Sequence, residues 1–248
     1  MFNRNHRMKV LFAILIIVTA MAGCAKEPYR DSAVEESVAT KDAPHTLDVF
    51  HIAFAPGGDE TERTFSWHTR GMNKKGVVEL SQLDEEGNVL SSETFESGVE
   101  AILRGFSRHK ATITGLEESQ LYSYRFGDGH RAWSESYTFR TQATEDDDFN
   151  FLFFGDPQIG AGDGAQIDAD GWDRTVTTAT KMFPDTSFLV SSGDQVNTAY
   201  NLQQYEGWFS PEALTAYPII PIVGNHDAAS FADYFNVPNE TGLGGDSE

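Results

Sequence analysis

The residues of this chain that could do chemistry lie in three short polar segments. The segments are Gly155-Asp156-Pro157-Gln158, Gly193-Asp194-Gln195-Val196-Asn197 and Gly224-Asn225-His226-Asp227, and each follows an apolar run typical of a buried strand. Because parallel strands have all their carboxyl ends at one edge of a sheet, the three segments are expected to meet there. They would bring together carboxylates, amides and an imidazole, contributed by Asp156, Asp194, Gln158, Asn225 and His226. Such oxygen and nitrogen donors suit hard or borderline divalent metal ions.

The elements that must position these segments follow a β-α-β-α-β pattern, which indicates a parallel sheet covered on both faces. The predicted strands are Phe151 to Phe154, Phe188 to Val190 and Pro218 to Val223. The predicted helices are Gln166 to Met182 and Leu202 to Ala216, the second one interrupted near Pro211. Acidic residues around the start of the first helix are interpreted as a solvated rim, with attraction of cations as the alternative: Asp163, Asp168, Asp170 and Asp173. Residues 143–248 are assigned to this α/β domain, and the charged run Glu145 to Asp148 is interpreted as a solvated linker at the domain junction.

Residues 45–142 have a different pattern, with short apolar or alternating runs between turn signals. The predicted strands are Val49 to Ala55, Arg63 to His68, Gly76 to Gln82, Lys110 to Thr114, Tyr122 to Phe126 and Tyr137 to Arg140. Strands at this spacing without helical periodicity predict an antiparallel β-sandwich, with Trp67 and Tyr124 in its core. The predicted fold class is therefore multidomain, with an antiparallel sandwich ahead of an α/β domain.

The amino terminus is predicted to be a targeting segment. Basic residues within positions 4–9 precede the apolar stretch Val10 to Ala20, which is too short to span a bilayer comfortably. Met21-Ala22-Gly23-Cys24 then resembles a bacterial lipobox, which implies lipid modification of Cys24, the only cysteine. Residues 1–23 are interpreted as a lipoprotein signal peptide and residues 24–44 as a flexible tether. We therefore expect an extracytoplasmic protein held at the cell membrane by a lipid anchor; an ordinary secretory signal, which would release the protein, is the alternative.

The formal net charge of −20 limits the partners. A surface this acidic repels nucleic acid and anionic lipid, so we expect no nucleic acid among the partners. A small phosphate ester stays compatible with the charge, because bound metal ions invert the local field.

Taken in order, the three segments resemble the motifs of the calcineurin-like metallophosphoesterase superfamily. The sandwich ahead of them narrows the resemblance to purple acid phosphatase-like proteins, on motifs such as Phe65-Ser66-Trp67-His68-Thr69, Thr114-Gly115-Leu116 and Phe139-Arg140-Thr141. The resemblance covers roughly residues 45–248. It implies a fibronectin III-like β-sandwich followed by the first half of an α/β metallophosphoesterase fold.

The resemblance implies metal-dependent hydrolysis of phosphate esters, monoesters in preference to diesters, by a metal-activated hydroxide at a dinuclear site. Two divalent or mixed-valence metal ions are implied, with Fe, Zn and Mn as candidates, and a small phosphate ester as substrate. The implied metal ligands are Asp156 and Gln158 for the first metal, Asn225 for the second, and Asp194 as the bridge. His226 would donate a hydrogen bond or a proton to the phosphate or leaving oxygen, and Asp227 would orient the imidazole.

The chain also departs from the pattern of that family. Gln158 stands where many members have a histidine ligand, and Asn197 stands where the purple enzymes have an iron-binding tyrosine. After residue 141 the sequence contains a single histidine, His226, so the downstream histidine ligands of the family are missing. These departures predict a fragment truncated within the domain, which is inactive or nearly so by itself.

Two sets of alternatives stay open at this point. Asp156 and Asp194 could cap the helices that follow them, Asn225 and Asp227 could be ordinary turn residues, and His226 could be an exposed loop histidine. The alternative function is a lipid-anchored extracytoplasmic β-sandwich binding module with a non-catalytic α/β remnant, because such sandwiches also serve in binding. The metal-ligand set distinguishes the two functions, since a binding module does not need it.

Overall fold

The computed structural model describes residues 46–71, 75–102, 105–143 and 149–238. The chain divides into two compact units, and all of these residues belong to the second, Asp42–Glu248. The predicted signal peptide, Cys24, the tether and the Glu145 to Asp148 linker lie outside the described residues. Within the described ranges, no helix combines the length and the apolar character needed to cross a membrane.

Two four-stranded antiparallel sheets form the first part of the described chain. One sheet contains β1 (Val49–Pro56), β2 (Arg63–Arg70), β6 (Phe106–Ile113) and β5 (Gly98–Ile102), in that order across the sheet. The other contains β4 (Val89–Glu96), β3 (Val77–Leu83), β7 (Leu121–Gly127) and β8 (Tyr137–Arg140). Side chains of both sheets share one hydrophobic core, which confirms the predicted antiparallel sandwich.

The composition of this core explains why these segments form strands. In β7, buried aromatic residues alternate with polar ones, which suits a sheet with one face against a core. Trp67 and Phe126 are 0% exposed, and their ring centroids lie 4.4 Å apart across the two sheets. Tyr124 is 1% exposed and lies 4.9 Å from the ring of Phe65. The expected core positions of Trp67 and Tyr124 are confirmed.

The sequence prediction missed β4 and β5, and it placed the start of β6 at Lys110 instead of Phe106. Both missed strands lie at the edge of their sheet. Most side chains of β4 are exposed, including the apolar Val89 and Leu90, each at 60%. Edge strands that face water do not need the apolar alternation by which buried strands are predicted.

The second part of the chain alternates strands with helices. The elements are β9 (Phe151–Phe154), α1 (Ala165–Met182), β10 (Phe188–Ser191), α2 (Leu202–Trp208), a 3-10 helix (Glu212–Thr215), β11 (Ile219–Pro221) and α3 (Phe231–Tyr234). The three strands pair in parallel in the order β11-β10-β9. The predicted interruption near Pro211 is confirmed, because α2 ends at Trp208 and Pro211 is the residue before the 3-10 helix.

The prediction that both faces of this parallel sheet are covered is wrong for the described residues. Leu152 of β9 contacts the buried core, but its neighbours Phe151 and Phe153 are 48% and 62% exposed. Phe149, Phe151 and Phe188 stack on this outer face, with centroid distances of 5.3 to 6.3 Å. Continuous apolar strands are typical of sheets buried on both sides, but the described elements leave the β9 part of this face open, while Val190 of β10, which pairs with Phe153, is buried.

The sandwich is joined to the α/β part through β2, which is buried on both faces. Thr64 Oγ1 donates to the Asn236 carbonyl oxygen at 2.7 Å, and Ser66 Oγ donates to that of Tyr234 at 2.8 Å. In return, Asn236 Nδ2 donates to the carbonyl oxygen of Phe65 at 3.2 Å. The sandwich therefore holds the stretch of chain that follows the Gly224-Asn225-His226-Asp227 segment.

A Tyr124→Phe substitution tests this junction at a second point. The Tyr124 hydroxyl donates to the Thr215 carbonyl oxygen at 2.8 Å, so the change removes that donor. We expect the free energy of unfolding in urea to fall by about 1–2 kcal/mol. Tyr137→Phe is the control, because the Tyr137 hydroxyl bonds the exposed Glu135 carboxylate, and its loss should be about 0.5 kcal/mol or less. Equal losses in the two variants would show that the Tyr124 hydrogen bond does not stabilise the junction.

Candidate functional site

The three polar segments begin where the parallel strands end. We call residues 155–158, 193–197 and 224–227 the first, second and third loop. The Gln158 N–H donates to the Asp194 carbonyl oxygen at 2.8 Å, and the Asn197 N–H donates to that of Ile159 at 3.0 Å. Ile159 and Val196 form a parallel β-bridge. The first and second loops are therefore paired beyond the end of the sheet, at the edge that the sequence predicted.

Two glycines allow the second and third loops to touch. Gly193 has a φ of +99°, and a Cβ atom there would lie 3.2 Å from the Gly224 Cα atom. A Cβ atom on Gly224 would overlap the backbone nitrogen and Oδ1 of Asp194. A side chain at Gly224 would push the loops apart, which explains the glycine before Asn225.

Asp194 lies at the contact between these two loops. Its φ of +45° is in the left-handed region, which residues other than glycine rarely adopt. Its half-buried carboxylate accepts the His226 backbone N–H on Oδ1 at 2.9 Å. The alternative in which Asp156 and Asp194 cap helices is wrong, because Gly164 precedes α1 and Asn201 caps α2. An unusual backbone conformation with a cross-loop hydrogen bond is typical of a functional site.

The His226 imidazole is held by the second loop. Its Nδ1 lies 2.8 Å from the Asn197 backbone carbonyl oxygen. A carbonyl oxygen only accepts, so Nδ1 bears the proton, and in the neutral ring Nε2 keeps a lone pair. Nε2 is therefore the atom of His226 that can exchange a proton or a hydrogen bond with a ligand.

The structure gives Asp227 a different role from the predicted one of orienting this imidazole. Asp227 is fully buried, and its two carboxylate oxygens accept the backbone N–H groups of Gln195 at 2.8 Å and Gly224 at 2.7 Å. Burial raises the pKa of the Asp227 carboxyl, the two N–H groups oppose that rise, and the charge of Asp194 adds to it. Asp227 thus fastens the second loop to the third, and the Asn197 carbonyl orients the imidazole.

The remaining predicted ligands lie on the open side of this edge. Asp156 is exposed and lines a cavity of about 510 Å³. Gln158 has a φ of +37°, and its Nε2 donates to Asn197 Oδ1 at 3.2 Å. Asn225 is exposed in the third loop. The loops therefore bring Gln158 into contact with the second loop and leave Asp156 and Asn225 facing water.

These residues fit part of a metal site. Side-chain oxygens of Asp156, Gln158 and Asn225, and Oδ2 of Asp194, accept no hydrogen bond from the described residues, so oxygen donors are available for a hard divalent ion. Within the described ranges, however, no group of three or more His, Cys, Asp or Glu side chains converges. The described residues do not assemble the predicted dinuclear site by themselves.

Two residues that organise the site were not identified as such from the sequence. Asn197 joins all three loops through its backbone and side chain, and Asp168 was interpreted as part of a solvated rim. Asp168 Oδ2 accepts the N–H groups of Gly160 at 2.9 Å and Gly162 at 3.0 Å, and so holds the turn after the first loop against α1. The only sequence signal for Asp168 was its place in the first helical turn; the contacts of both residues depend on the folded chain.

Comparison with known proteins supports the first part of this fold most directly. Residues 49–141 match the family model described as Purple acid Phosphatase, N-terminal domain. No curated protein matches the chain.

Among solved structures, the purple acid phosphatase PPD1 from yellow lupin (Lupinus luteus) seeds is similar to this chain, with a TM-score of 0.62 and 17% sequence identity. The similarity covers 78% of this chain and 41% of the lupin chain, so the chain spans less than half the length of that protein. At this identity the likeness shows the fold alone.

Two further structures are similar at lower TM-scores. Astrotactin-2, a vertebrate-specific membrane protein, has a TM-score of 0.29 and 11% identity over 56% of this chain and 26% of its own. The sensor domain of the anti-sigma factor RsgI4 from Pseudobacteroides cellulosolvens has a TM-score of 0.24 and 18% identity over 42% of this chain and 98% of its own. These scores are too low to inform the function.

Proposed function

We propose that this chain functions in the metal-dependent hydrolysis of phosphate esters, as a purple acid phosphatase-like member of the calcineurin-like metallophosphoesterase superfamily. The proposed substrates are small phosphomonoesters, and the proposed site is the edge where the three loops meet. The α/β part would be the first half of the metallophosphoesterase fold. The match of residues 49–141 to the purple acid phosphatase N-terminal domain and the fold likeness to the lupin protein support this proposal.

The contact between the second and third loops is the observation that supports it most strongly. Asp194 accepts the His226 backbone N–H, and the His226 ring in turn donates to the carbonyl oxygen of Asn197. Gly224 leaves no room for a Cβ atom beside Asp194. Ordinary connecting turns require none of these contacts. Together they hold two adjoining loops, one with a carboxylate and one with an imidazole, at one sheet edge, and these residue types suit hydrolysis.

We propose that two metal ions complete the site, with Fe, Zn and Mn as candidates. Asp156 and Gln158 would bind one ion, and Asn225 would bind the other. Asp194 would bind both ions. Such ions, when bound, supply a nucleophilic hydroxide and neutralise charge on the phosphoryl group. The chain itself holds the Asp194 carboxylate in place and offers His226 Nε2, which bears a proton when the ring is an imidazolium, to hydrogen-bond or protonate the phosphate or leaving oxygen.

We further propose that the protein is extracytoplasmic and anchored to the membrane through a lipid on Cys24. The supporting feature is the sequence Met21-Ala22-Gly23-Cys24 directly after the apolar stretch. The net charge of −20 supports a small phosphate ester as partner and disfavours nucleic acid.

An Asp194→Asn substitution in the protein expressed from its complete gene tests the proposed function. We expect kcat/KM for p-nitrophenyl phosphate, assayed with Mn²⁺, Zn²⁺ or iron, to fall at least about 100-fold. The reason is that loss of a bridging charge removes several kcal/mol of transition-state stabilisation. Asp163→Asn removes the same charge from an exposed residue nearby and should change kcat/KM by less than about threefold. Bis(p-nitrophenyl) phosphate measures diester cleavage in the same assay.

Two outcomes would contradict the proposal. Equal activity of the Asp194→Asn and Asp163→Asn variants would remove Asp194 from the site. No hydrolysis by the unmodified protein with any of the three metals would favour the alternative, a lipid-anchored extracytoplasmic β-sandwich binding module with a non-catalytic α/β remnant.

A further inference from the structure

Two buried histidines outside the proposed site form a direct hydrogen bond at the junction between the sandwich and the α/β part. His51 of β1 and His68 of β2 are 5% and 2% exposed, and their Nδ1 atoms lie 2.9 Å apart. His68 Nε2 lies 2.8 Å from the backbone carbonyl oxygen of Asp233 in α3. The pair therefore connects β1, β2 and α3.

These hydrogen bonds allow one arrangement of protons on the two neutral rings. The Asp233 carbonyl oxygen only accepts, so His68 Nε2 bears a proton and His68 Nδ1 does not. His51 Nδ1 must then donate to His68 Nδ1, which leaves His51 Nε2 unprotonated. His51 Nε2 is buried without a hydrogen-bond partner in the described part of the chain. A further proton on His68 Nδ1 breaks the bond between the rings, and one on His51 Nε2 creates a buried donor without an acceptor.

The backbone specifies the position of His51. Its φ is +51°, and the pairing of β1 with β2 shifts register between Phe50 and Ala53. A β-bulge of this kind redirects a side chain. The His51 ring contacts the rings of Phe209 and Tyr234, with centroid distances of 5.0 and 5.3 Å. An unusual backbone conformation at a buried histidine indicates that its position serves a purpose.

The charged surroundings disfavour a further proton on either ring. The titratable groups that face the pair from the neighbouring elements are Arg70, Arg108, His109, Asp233 and Tyr234. Arg70 pairs with Asp48 at 3.0 Å, and Arg108 pairs with Asp233 at 2.8 Å and with Glu100. Each of these carboxylates already has a cationic partner, so none is left to stabilise an imidazolium.

We propose that the His51–His68 pair is a proton-sensitive latch, which holds residues 231–237 against the sandwich at neutral pH and releases them on acidification. The latch acts beside the hydrogen bonds that Thr64 and Ser66 make to the same stretch. That stretch continues from the third loop through Ser230, whose N–H donates to the Asp227 carbonyl oxygen at 2.9 Å. Release therefore loosens the support of the third loop.

The direction of the pH effect follows from burial. Burial lowers the pKa of His68 from 6.5 to about 4 and that of His51 well below 6.5, with the charges of His68 and Arg70 adding to the effect on His51. A group whose pKa is lowered in the docked state takes up more protons when exposed, so docking weakens as the pH falls from 6.5 towards 4. For His68 alone, the ratio of released to docked chain should rise about 20-fold between pH 7 and pH 5.

Amide hydrogen exchange of the full-length protein at pH 7, 6 and 5, corrected for intrinsic rates, tests the latch. We expect the amides of residues 231–237 to exchange at least about 20-fold faster at pH 5 than at pH 7, with β7 amides unchanged. The double variant His51→Phe, His68→Gln keeps a flat ring and an amide donor at these positions and should lose that pH dependence. His130→Gln, at an exposed histidine, should keep it.

Exchange that does not depend on pH, or an unchanged pH dependence in the double variant, would overturn the proposal. Imidazole ¹⁵N NMR of the unmodified protein makes the test independent of whether the double variant folds. At pH 7 it should show a proton on His51 Nδ1 and on His68 Nε2. An ordinary titration midpoint near 6.5 for either ring, with residues 231–237 still protected, would also overturn the latch. The test does not depend on the proposed function, because it measures docking and not hydrolysis.

Discussion

Replacing Gly224 by alanine is expected to separate the second and third loops and to abolish hydrolysis by the complete protein. The new Cβ atom would overlap the Asp194 backbone nitrogen and Oδ1, so backbone and not a flexible side chain would have to move. Overpacking of this kind costs about 1–3 kcal/mol of unfolding free energy. A displaced Asp194 should lower kcat/KM by at least about 100-fold, because small misplacements in an active site have large effects.

Gly155→Ala provides the matched control for this change. Gly155 precedes Asp156 as Gly224 precedes Asn225, but a Cβ atom there would meet nothing within 4 Å. We expect its unfolding free energy to stay within about 0.5 kcal/mol of the unmodified protein. Urea unfolding and phosphatase assays on both variants give the comparison. Equal stability of the two variants would show that the loops do not touch at Gly224.

The second large effect is expected for Asp227→Ala. This change leaves the buried N–H group of Gln195 and the half-buried one of Gly224 without their acceptor, and a buried group left so costs about 1–3 kcal/mol. We therefore expect a loss of about 2–5 kcal/mol in unfolding free energy, together with loss of the loop contact. A loss below about 1 kcal/mol in urea unfolding would contradict the fastening role of Asp227.

Titration of Asp227 should make the free energy of unfolding depend on pH. Because burial raises the pKa of this carboxyl above 3.8, the folded state binds its proton more tightly than the unfolded state. Stability from this group is therefore lost as the pH rises from 3.8 through the raised pKa. The stability of the unmodified protein relative to Asp227→Asn should fall over that window.

Asp59→Asn is the control, because Asp59 should change stability with pH in the opposite direction. Hydrogen bonds from the side chain and backbone of Thr61 lower the pKa of Asp59, so its contribution grows as the pH rises towards 3.8. The stability of the unmodified protein relative to this variant should rise with pH. The stability difference between the unmodified protein and each variant is plotted against pH. Slopes of the same sign for Asp59→Asn and Asp227→Asn would contradict the direction of one of the two pKa shifts.

The sequence predicted those features of the fold that depend on local patterns. The strands at Phe151–Phe154 and Tyr137–Arg140 were predicted at the residues where they lie, because apolar runs bounded by turn signals mark strands wherever burial is strong. The edge strand Val89–Glu96 was missed because its side chains face water. The cover over Phe151 and Phe153 was predicted wrongly, because apolar composition indicates a preference for burial and not the presence of a neighbour.

The sequence predicted which loops meet at the candidate site. It did not predict which atoms of those loops form hydrogen bonds. Asp156, Asp194 and His226 were placed at one edge by the general rule for parallel sheets. The hydrogen bond of His226 to the Asn197 carbonyl oxygen could not be predicted, because a backbone carbonyl has no sequence signature. For Asp227, the predicted role assumed a contact with the imidazole, whereas the close approach at Gly224 directs its carboxylate to backbone N–H groups.

The claim that the three loops form a cation site can be tested most directly by Mn²⁺ titration of the ¹⁵N-labelled protein, followed by NMR. Bound Mn²⁺ broadens nearby amide signals even when binding is weak, so the measurement does not require a complete site. We predict that the amides of residues 155, 156, 158, 193–197 and 224–227 broaden first, and that Asp194→Asn removes this preference. Broadening spread over the acidic surface, or centred on carboxylates such as Asp59 and Asp128, would contradict a cation site at the three loops.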